Sequence, residues 1–492
     1  MEKKLNELLA TVSVKLTVGP DPATVAVSDV INDSRRAARG VLFVALRGVA
    51  VDSHKFIPDV VAAGAAAIVC EQLPDTQDPA VTYVVVPDST EALAHLASEW
   101  YGRPSEHLQL VGVTGTNGKT TTATLLYELA RLMGYKAGLL STVKNVVDTT
   151  EYPAKQTTPD HLSLNRLLSQ MVEAGCDYAF MEVSSHACVQ KRIDGLRFKG
   201  AIFTNLTRDH LDFHKTVDNY IRAKKMFFDA LPADAFALVN ADDKVGQVMV
   251  QNSAAASYTY SLRTVADYKC RVIEDRLDGT TLSINGHELE VLLTGRFNAY
   301  NLLAVYGAAI QLGWNKDEVL VAMSRLQPAD GRFQTLRSPR GYVAVVDYAH
   351  TPDALVNVLS TISEVLGGRG HVITVCGCGG DRDHGKRPMM AREAATRSYR
   401  TILTSDNPRS EDPEAILADM QAGLDADMQA SMLKITDRRE AIRCACQMAA
   451  PGDVVLVAGK GHETYQEVKG VKHHFDDREV LRDVFAQEAA QK

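Results

Sequence analysis

Residues 113–126 read VTGTNGKTTTATLL, and the fold turns on how this stretch is understood. It follows an apolar run, LQLVGV (108–113), and leads into TLLYELARLMGYK (124–136), whose apolar residues recur at helical spacing. The order is therefore strand, glycine turn, helix. In such a turn the backbone N–H groups and the helix amino terminus face an anion. Lys119 can neutralise the outer phosphates of a nucleotide, and Thr120 can hold Mg2+ through its hydroxyl. The strict phosphate-loop pattern asks for glycine at position 113, where this chain has Val113, so the shorter form Gly115-Thr116-Asn117-Gly118-Lys119-Thr120 is judged by its context. The plainer alternative is a glycine-rich turn with no ligand.

Outward from this loop the pattern repeats. KAGLL, DYAFMEV, GAIFTNL and FALVN are near-continuously apolar and alternate with helical segments, including one after Pro159 and one around Tyr220. Strands of that kind indicate a buried parallel sheet with right-handed crossovers. CRVIEDRLDGTTLSINGHELEVLL changes period and predicts small antiparallel strands at one edge. Before the loop, VLFVAL, AAIVCE and TYVVV alternate with FIPDVVAAGA and TEALAHLASEWYG, and Arg103-Pro104-Ser105 reads as a linker. After Gly331-Arg332 come YVAVVDYAH, HVITVCGCGGD, RTILTSDNPR and DVVLVAGKGHE, each with its polar or glycine-rich residues at the carboxyl end of the strand. That end is where open α/β sheets place ligands. The reading is α/β in three domains: 1–107, a central parallel-sheet ATPase domain at 108–333, and a Rossmann-like domain at 334–492.

The chain has 492 residues, 53 basic against 61 acidic, for a net charge of −8. That balance argues against a nucleic-acid partner. No apolar run reaches the roughly 20 residues of a membrane helix, and the amino terminus lacks a signal-peptide core, so a cytoplasmic location is expected. The eight cysteines form two close pairs, Cys376/Cys378 and Cys444/Cys446, neither with a second cluster at zinc spacing, and read as reduced structural thiols.

Several side chains carry candidate chemistry. MEVSSH ends a strand at Glu182, and TNLTRDHLDFH ends one before His210. A carboxylate and an imidazole beside the phosphate-loop strand could share a Mg2+ with Thr120, although acids at strand ends commonly only cap the next helix. In TVDNYIRAKKMFFDAL, Tyr220, Ala223, Phe227, Phe228 and Leu231 mark an apolar stripe on which Lys224 falls, while Lys225 points away. Lys224 either extends its stem to a nearby carboxylate or is held neutral by burial and can react with CO2. Asn298 and Asn301 share one face at a helix start, which suits either N-capping by Asn298 or the adenine edge. In SDNPR, Pro408 fixes a turn that presents Arg409, either as a surface cap or as a bidentate fork for a carboxylate.

GTNGKT with its trailing threonines resembles the ATP site of the Mur ligase family, which includes folylpolyglutamate synthetase, and about eight motifs agree in family order over nearly the whole chain. The resemblance implies ATP-dependent amide formation through an acyl phosphate. ATP would be held by Gly115 to Thr120 with Thr121, by Asn298 and Asn301 of FNAYN, and by Arg332, Asp347 and His350 across a closing cleft. Two Mg2+ ions would be held by Thr120, Glu182, His210 and Lys224, the last carbamylated as in the family's YxxAK, with His210 a neutral ligand; Lys119, Lys224 and His210 are the catalytic set. DSR implies Ser34 as a contact to a uridine diphosphate. Thr157, Thr158, Ser184, Gln190 and Arg192 would hold the muramoyl dipeptide of UDP-N-acetylmuramoyl-L-alanyl-D-glutamate. DNPR marks members that add meso-diaminopimelate, which implies Asp406, Asn407, Pro408 and Arg409 with Arg387, Gly459 and Glu463, where Glu463 pairs the distal ammonium. A monomer is expected. A folylpolyglutamate-type ligase would share the phosphate loop but has no use for DNPR or DSR, and a nucleotide-binding regulator would need no amino-acid pocket.

Overall fold

The structure, a computed structural model, describes residues 2–48, 51–207, 209 and 211–490. Among the described residues three larger sheets, of five, eleven and six strands, follow one another along the chain. The first has the order Leu16–Val18, Thr82–Val85, Ala67–Cys70, Val41–Val44, Asp29–Ile31, parallel apart from Leu16–Val18. Arg103 to Ser105, expected as a linker, is a tight connection. Arg103 adopts a left-handed φ of 52°, and Pro104 and Ser105 are buried in a short 3-10 turn, Pro104–His107.

The second sheet has eleven strands. Its parallel centre runs Ala137–Leu140, Tyr178–Glu182, Gln109–Thr114, Gly200–Phe203, Phe236–Asn240, Ala256–Ser261. Side chains alternate between two cores, as the strand period of two requires. Val111, Val113 and Phe180 pack with helices Lys119–Leu132 and Arg296–Gln311, while Leu110, Ala179 and Met181 pack with His161–Glu173 and Val217–Asp229. Tyr268–Arg276, Gly279–Ile284 and His287–Val291 form the predicted antiparallel edge. The opposite edge carries a hairpin, Lys144–Val147 with Thr150–Pro153, that the sequence pattern did not reveal.

The chain passes from Gln109–Thr114 over Tyr178–Glu182 to Ala137–Leu140, then returns to fill the gap and continues on the other side. The phosphate-loop strand therefore stands at the point where strand order reverses, and a crevice opens above its carboxyl end.

The third sheet has the order Gln334–Arg337, Val343–Asp347, Val454–Ala458, Val372–Cys376, Arg400–Leu403, Met432–Lys434, parallel apart from the first. Cys376 and Cys378 are buried at one strand end; Cys444 and Cys446 lie on the helix Arg438–Met448, where two-residue spacing sends them to different sides, Cys446 inward and Cys444 half-buried. All eight cysteines are free. Arg438 and Asp477 form a wholly buried ion pair at 2.7 Å, and Arg438 also donates to the Ala458 carbonyl at 3.0 Å.

The second and third sheets meet at residues 331–333. Gly331 has φ +65°, and a Cβ there would stand 2.0 Å from the His462 amide nitrogen, so only glycine allows the two backbones to touch. Across this junction Phe333 N donates to Asp347 Oδ2 (2.7 Å) and Tyr348 N donates to the Gly331 carbonyl (3.0 Å).

Candidate active site

The helix Lys119–Leu132 begins at Gly118, and the loop before it wraps the end of strand Gln109–Thr114. Strand ends on either side fix that loop. Thr204 Oγ1 and Asn205 Nδ2 donate to the Asn117 carbonyl (2.6 and 3.1 Å), and Asn205 Oδ1 accepts from Asn117 N at 2.9 Å. Lys119 Nζ donates to the carbonyls of Gly115 (2.9 Å) and Thr116 (2.8 Å), so the lysine is folded over its own loop. Thr204 and Asn205 were not anticipated; their position at the end of GAIFTNL, beside the phosphate-loop strand, is the signal that could have found them.

Thr120 Oγ1 donates to Glu182 Oε1 at 2.8 Å, and the same carboxylate oxygen accepts from the Thr142 amide at 2.7 Å. Glu182 does not cap the helix that follows; Ser184 does, accepting from Ala187 N at 3.1 Å. His210 lies outside the described residues. Tyr220, Ala223, Phe227, Phe228 and Leu231 are all buried, and Lys224 is buried with them. Its amine donates to the Gly115 carbonyl at 2.7 Å and lies 3.5 Å from Thr114 Oγ1. Among the described residues neither of these hydrogen-bond partners is a carboxylate. Burial, and then the ammonium of Lys119 on the same Gly115 carbonyl, hold the Lys224 amine well below its ordinary pKa. Lys225 turns to the surface and pairs with Asp229.

Asn298 is not the N-cap of its helix, because the helix Arg296–Gln311 starts after Gly295. Its Nδ2 donates to the Thr294 carbonyl (2.8 Å), and its Oδ1 accepts from Asn301 Nδ2 (3.2 Å), so the two carboxamides form one buried pair beside the loop. Thr122 Oγ1 reaches Asn301 Oδ1 at 3.4 Å. Thr121 is buried in the first turn of the loop helix.

The third sheet closes over this crevice. Arg332 Nη2 donates to Thr120 Oγ1 at 3.2 Å, and its guanidinium lies 4.7 Å from the centre of the Tyr348 ring. Asn117 Nδ2 donates to Asp353 Oδ2 at 2.9 Å, a contact that the sequence reading missed. Burial, opposed by Arg332, pushes the Asp347 carboxyl up to about 6. His350 sits exposed at the cleft with Nδ1 2.9 Å from the Tyr348 carbonyl.

Thr157, Thr158, Ser184, Gln190 and Arg192 come together on the other side of Glu182. Arg192 donates to the Thr158 carbonyl (2.7 Å) and Gln190 Oε1 (2.6 Å), Thr158 Oγ1 to the Glu182 carbonyl (2.8 Å), and Thr142 Oγ1 to Thr157 Oγ1 (3.1 Å). Ser34 is separate from this network. It opens a short 3-10 turn, Ser34–Arg36, after the edge strand of the first sheet, capped by Asp33.

At the carboxyl ends of the third sheet, Asp406, Asn407, Pro408 and Arg409 meet Gly459 and Glu463. Asn407 Nδ2 donates to Glu463 Oε2 at 2.7 Å. Arg409 has φ +50° and is clamped by the hairpin Tyr465–Val468 with Val471–His474: its amide donates to the Glu467 carbonyl and its own carbonyl accepts from Lys469 N. Its Nη1 donates to the Gly380 carbonyl at 2.7 Å, and its Nε lies 3.7 Å from Glu467 Oε2, which leaves Nη2 without a protein partner among the described residues. A Cβ on Gly380 would stand 2.0 Å from the Pro408 carbonyl, so glycine lets the loop 377–381 lie against the DNPR turn. Arg387 stands behind this pocket. It is buried on the helix Lys386–Arg397, with Nη2 on Glu411 and Nη1 on Asp419, both at 2.8 Å, and so braces the loop from below.

Among the described residues no helix is long and apolar enough to cross a membrane. Residues 27–101 match the model of the Mur ligase family catalytic domain, 113–309 that of the Mur ligase middle domain, and 331–461 that of the Mur ligase glutamate ligase domain. A protein of Parabacteroides distasonis named UDP-N-acetylmuramoyl-L-alanyl-D-glutamate–2,6-diaminopimelate ligase is 58% identical over 98% of this chain and 99% of its own. One of the same name from Bacteroides fragilis is 57% identical over 98% and 99%. A solved structure of a ligase of that name superposes with a TM-score of 0.71 at 33% identity, covering 99% of this chain and all of its own. The matched segments span all three sheets in order: this chain belongs to the Mur ligase family.

Proposed function

We propose that the chain is an ATP-dependent ligase that adds meso-diaminopimelate to UDP-N-acetylmuramoyl-L-alanyl-D-glutamate in peptidoglycan precursor synthesis. The observation that carries this reading is the pairing of two sites across one cleft: a phosphate loop on the second sheet, and on the third an arginine with Nη2 free of protein partners among the described residues, joined across the cleft by Asn117–Asp353, with Arg332 at the junction on Thr120. The names of the relatives at 58% and 57% identity fit the same chemistry.

The D-glutamyl γ-carboxylate attacks the γ-phosphorus of ATP, ADP leaves, and an acyl phosphate forms. The free amine of diaminopimelate then attacks the acyl carbon, the C–O bond to phosphate breaks, and inorganic phosphate departs with the amide formed. Little covalent work falls to the protein, so its task is positioning and charge. Lys119 leaves its loop carbonyls to meet the outer phosphates. Asn298 and Asn301 offer the adenine edge a donor and an acceptor, and Arg332 and Asp347 with His350 complete the nucleotide site when the third domain closes. Thr157, Thr158, Ser184, Gln190 and Arg192 hold the muramoyl dipeptide, and Ser34 the uridine diphosphate. Arg409 receives the distal carboxylate, Glu463 the distal ammonium, with Asp406, Asn407, Pro408 and Gly459 shaping the pocket and Arg387 bracing it.

The hydroxyl–carboxylate pair Thr120–Glu182 at the loop mouth, with the buried Lys224 amine behind it, fits divalent cations. Thr120, Glu182, His210 and Lys224 as its carbamate would hold two Mg2+ ions, which supply neutralisation of the charge on the transferring phosphoryl group. We infer domain boundaries at 107/108 and 333/334, a monomer, and a cytoplasmic setting, where eight free thiols stay reduced.

The test is phosphate release by the purified chain with ATP, Mg2+ and the UDP-linked dipeptide, with meso-diaminopimelate or L-lysine added in parallel. Release that needs both the dipeptide and diaminopimelate supports the reading; release with lysine alone discards the diaminopimelate assignment, and release that ignores both acceptors discards the ligase.

A further inference from the structure

Lys460 was read only as part of AGKGHE, yet its side chain has no exposed surface and sits at the centre of the amino-acid pocket. Its Nζ donates to Asn407 Oδ1 at 2.9 Å and to the Tyr465 carbonyl at 2.7 Å, and lies 3.4 Å from Asp406 Oδ1 and 3.5 Å from Glu463 Oε2. Two carboxylates that face an amino-acid ligand thus share one built-in ammonium. The neighbouring cation, Arg438, is already matched by Asp477. The pocket floor therefore carries two negative charges against one positive, a net of minus one, and a single ligand ammonium completes it.

We propose that Lys460 is a positioning residue that sets this balance: its ammonium lies between Asp406 and Glu463 and offsets their charge, and with the Glu467 amide it holds Asn407 so that the carboxamide nitrogen steers Glu463 toward the ligand. This rests on the assignment of the pocket to diaminopimelate given above. Burying two like charges side by side without a cation forces one of them to take up a proton. A proton shared between them turns one oxygen of each carboxyl group toward the other and away from the ligand's ammonium. The same lysine shares Asn407 Oδ1 with the Glu467 amide, each donating at 2.9 Å, and the carboxamide nitrogen then points at Glu463.

The experiment is a double-mutant cycle on the full chain with Lys460→Met and Asp406→Asn, reading kcat and the KM for meso-diaminopimelate, ATP and the UDP-linked dipeptide separately. Lys460→Met is expected to raise the diaminopimelate KM by at least about tenfold, as removal of one partner from a buried charge cluster does, with the other two KM values within about twofold. Adding Asp406→Asn removes the second carboxylate and with it the shared proton, and the double variant is expected to recover most of that loss. Losses that multiply in the double variant, or a fall in kcat alone with all KM values unchanged, overturn the proposal. If the single variant does not fold, the double variant, relieved of repulsion, is expected to fold and bind; its failure to fold overturns the charge-balance role. The wild type is the control on the underlying reading: no diaminopimelate-dependent phosphate release retires both, whereas release that is lost in Arg409→Ala keeps that reading whatever Lys460→Met shows.

Discussion

Replacement of Arg409 by methionine tests how the pocket selects its amino acid. Methionine keeps the aliphatic stem and the strained backbone at φ +50° and removes only the guanidinium. That group is already partly used: Nη1 is on the Gly380 carbonyl and Nε faces Glu467, and the side chain is 22% exposed. A charge-assisted hydrogen bond contributes about 1.5–3 kcal/mol when shielded. Two such bonds to a distal carboxylate, discounted for exposure and for the share held by Glu467, amount to roughly 2–4 kcal/mol, or about 30- to 700-fold in kcat/KM. L-Lysine has no distal carboxylate, so whatever turnover the wild type shows with it should stay the same or improve in the variant. The assay is phosphate release against each amino acid at fixed ATP and UDP-linked dipeptide, with thermal unfolding to show that the variant is folded. An equal loss with both amino acids, or no loss with diaminopimelate, would refute the reasoning, since either result places the distal carboxylate elsewhere.

Lys224→Met should abolish turnover without unfolding the chain, and wild-type protein equilibrated with 13C-labelled CO2 should show a carbamate carbon resonance that the variant lacks; an active variant refutes the carbamate. In CO2-free and Mg2+-free buffer the stability advantage of that variant should shrink as pH rises toward the ordinary lysine value of 10.5, because a lysine with a depressed folded pKa must release its proton on folding. Asp347 behaves with the opposite sign. Its folded pKa of about 6 lies above the ordinary 3.8, so the wild type loses stability as pH rises through that window, and Asp347→Asn should gain on it by on the order of 1–3 kcal/mol between pH 4 and 6.5; a flat difference refutes the shift. Arg438→Met leaves Asp477 buried without its partner and should cost about 3–5 kcal/mol, seen by calorimetry as a fall in Tm of roughly 6–20 °C. A fall under about 2 °C would mean that water reaches the site.

Legibility in the sequence followed the physics of each feature. The phosphate loop could be read because strand, turn and helix adjoin in the chain, and Lys224 because helical spacing alone puts it on the Tyr220–Phe227 stripe. The parallel centre of the second sheet showed as apolar runs for the same local reason. The edge strands did not: Lys144–Val147 and Thr150–Pro153 are short, and the outer one is largely exposed. Asn117–Asp353 spans 236 residues and Arg438–Asp477 spans 39, so no local pattern records either. Lys460 was passed over because a lysine between two glycines looks like surface; it is buried where Asn407, 53 residues away in the chain, and the Tyr465 carbonyl close around its amine. Asn298 was read as a possible cap because the helix start was set at Asn298 rather than at Arg296.

The touch between the backbones of Gly331 and Gly461 also governs how the chain can be recombined with its relatives. A Cβ on Gly461 would lie 2.7 Å from the Gly331 carbonyl, and one on Gly331 would lie 2.0 Å from the next amide, so the two positions are a matched set separated by 130 residues. A chimera joined at residue 334, the boundary we infer, takes Gly331 from one parent and Gly461 from the other. A junction placed a few residues earlier, before Asp330, inherits both from the same parent, and with them the shape of the hinge.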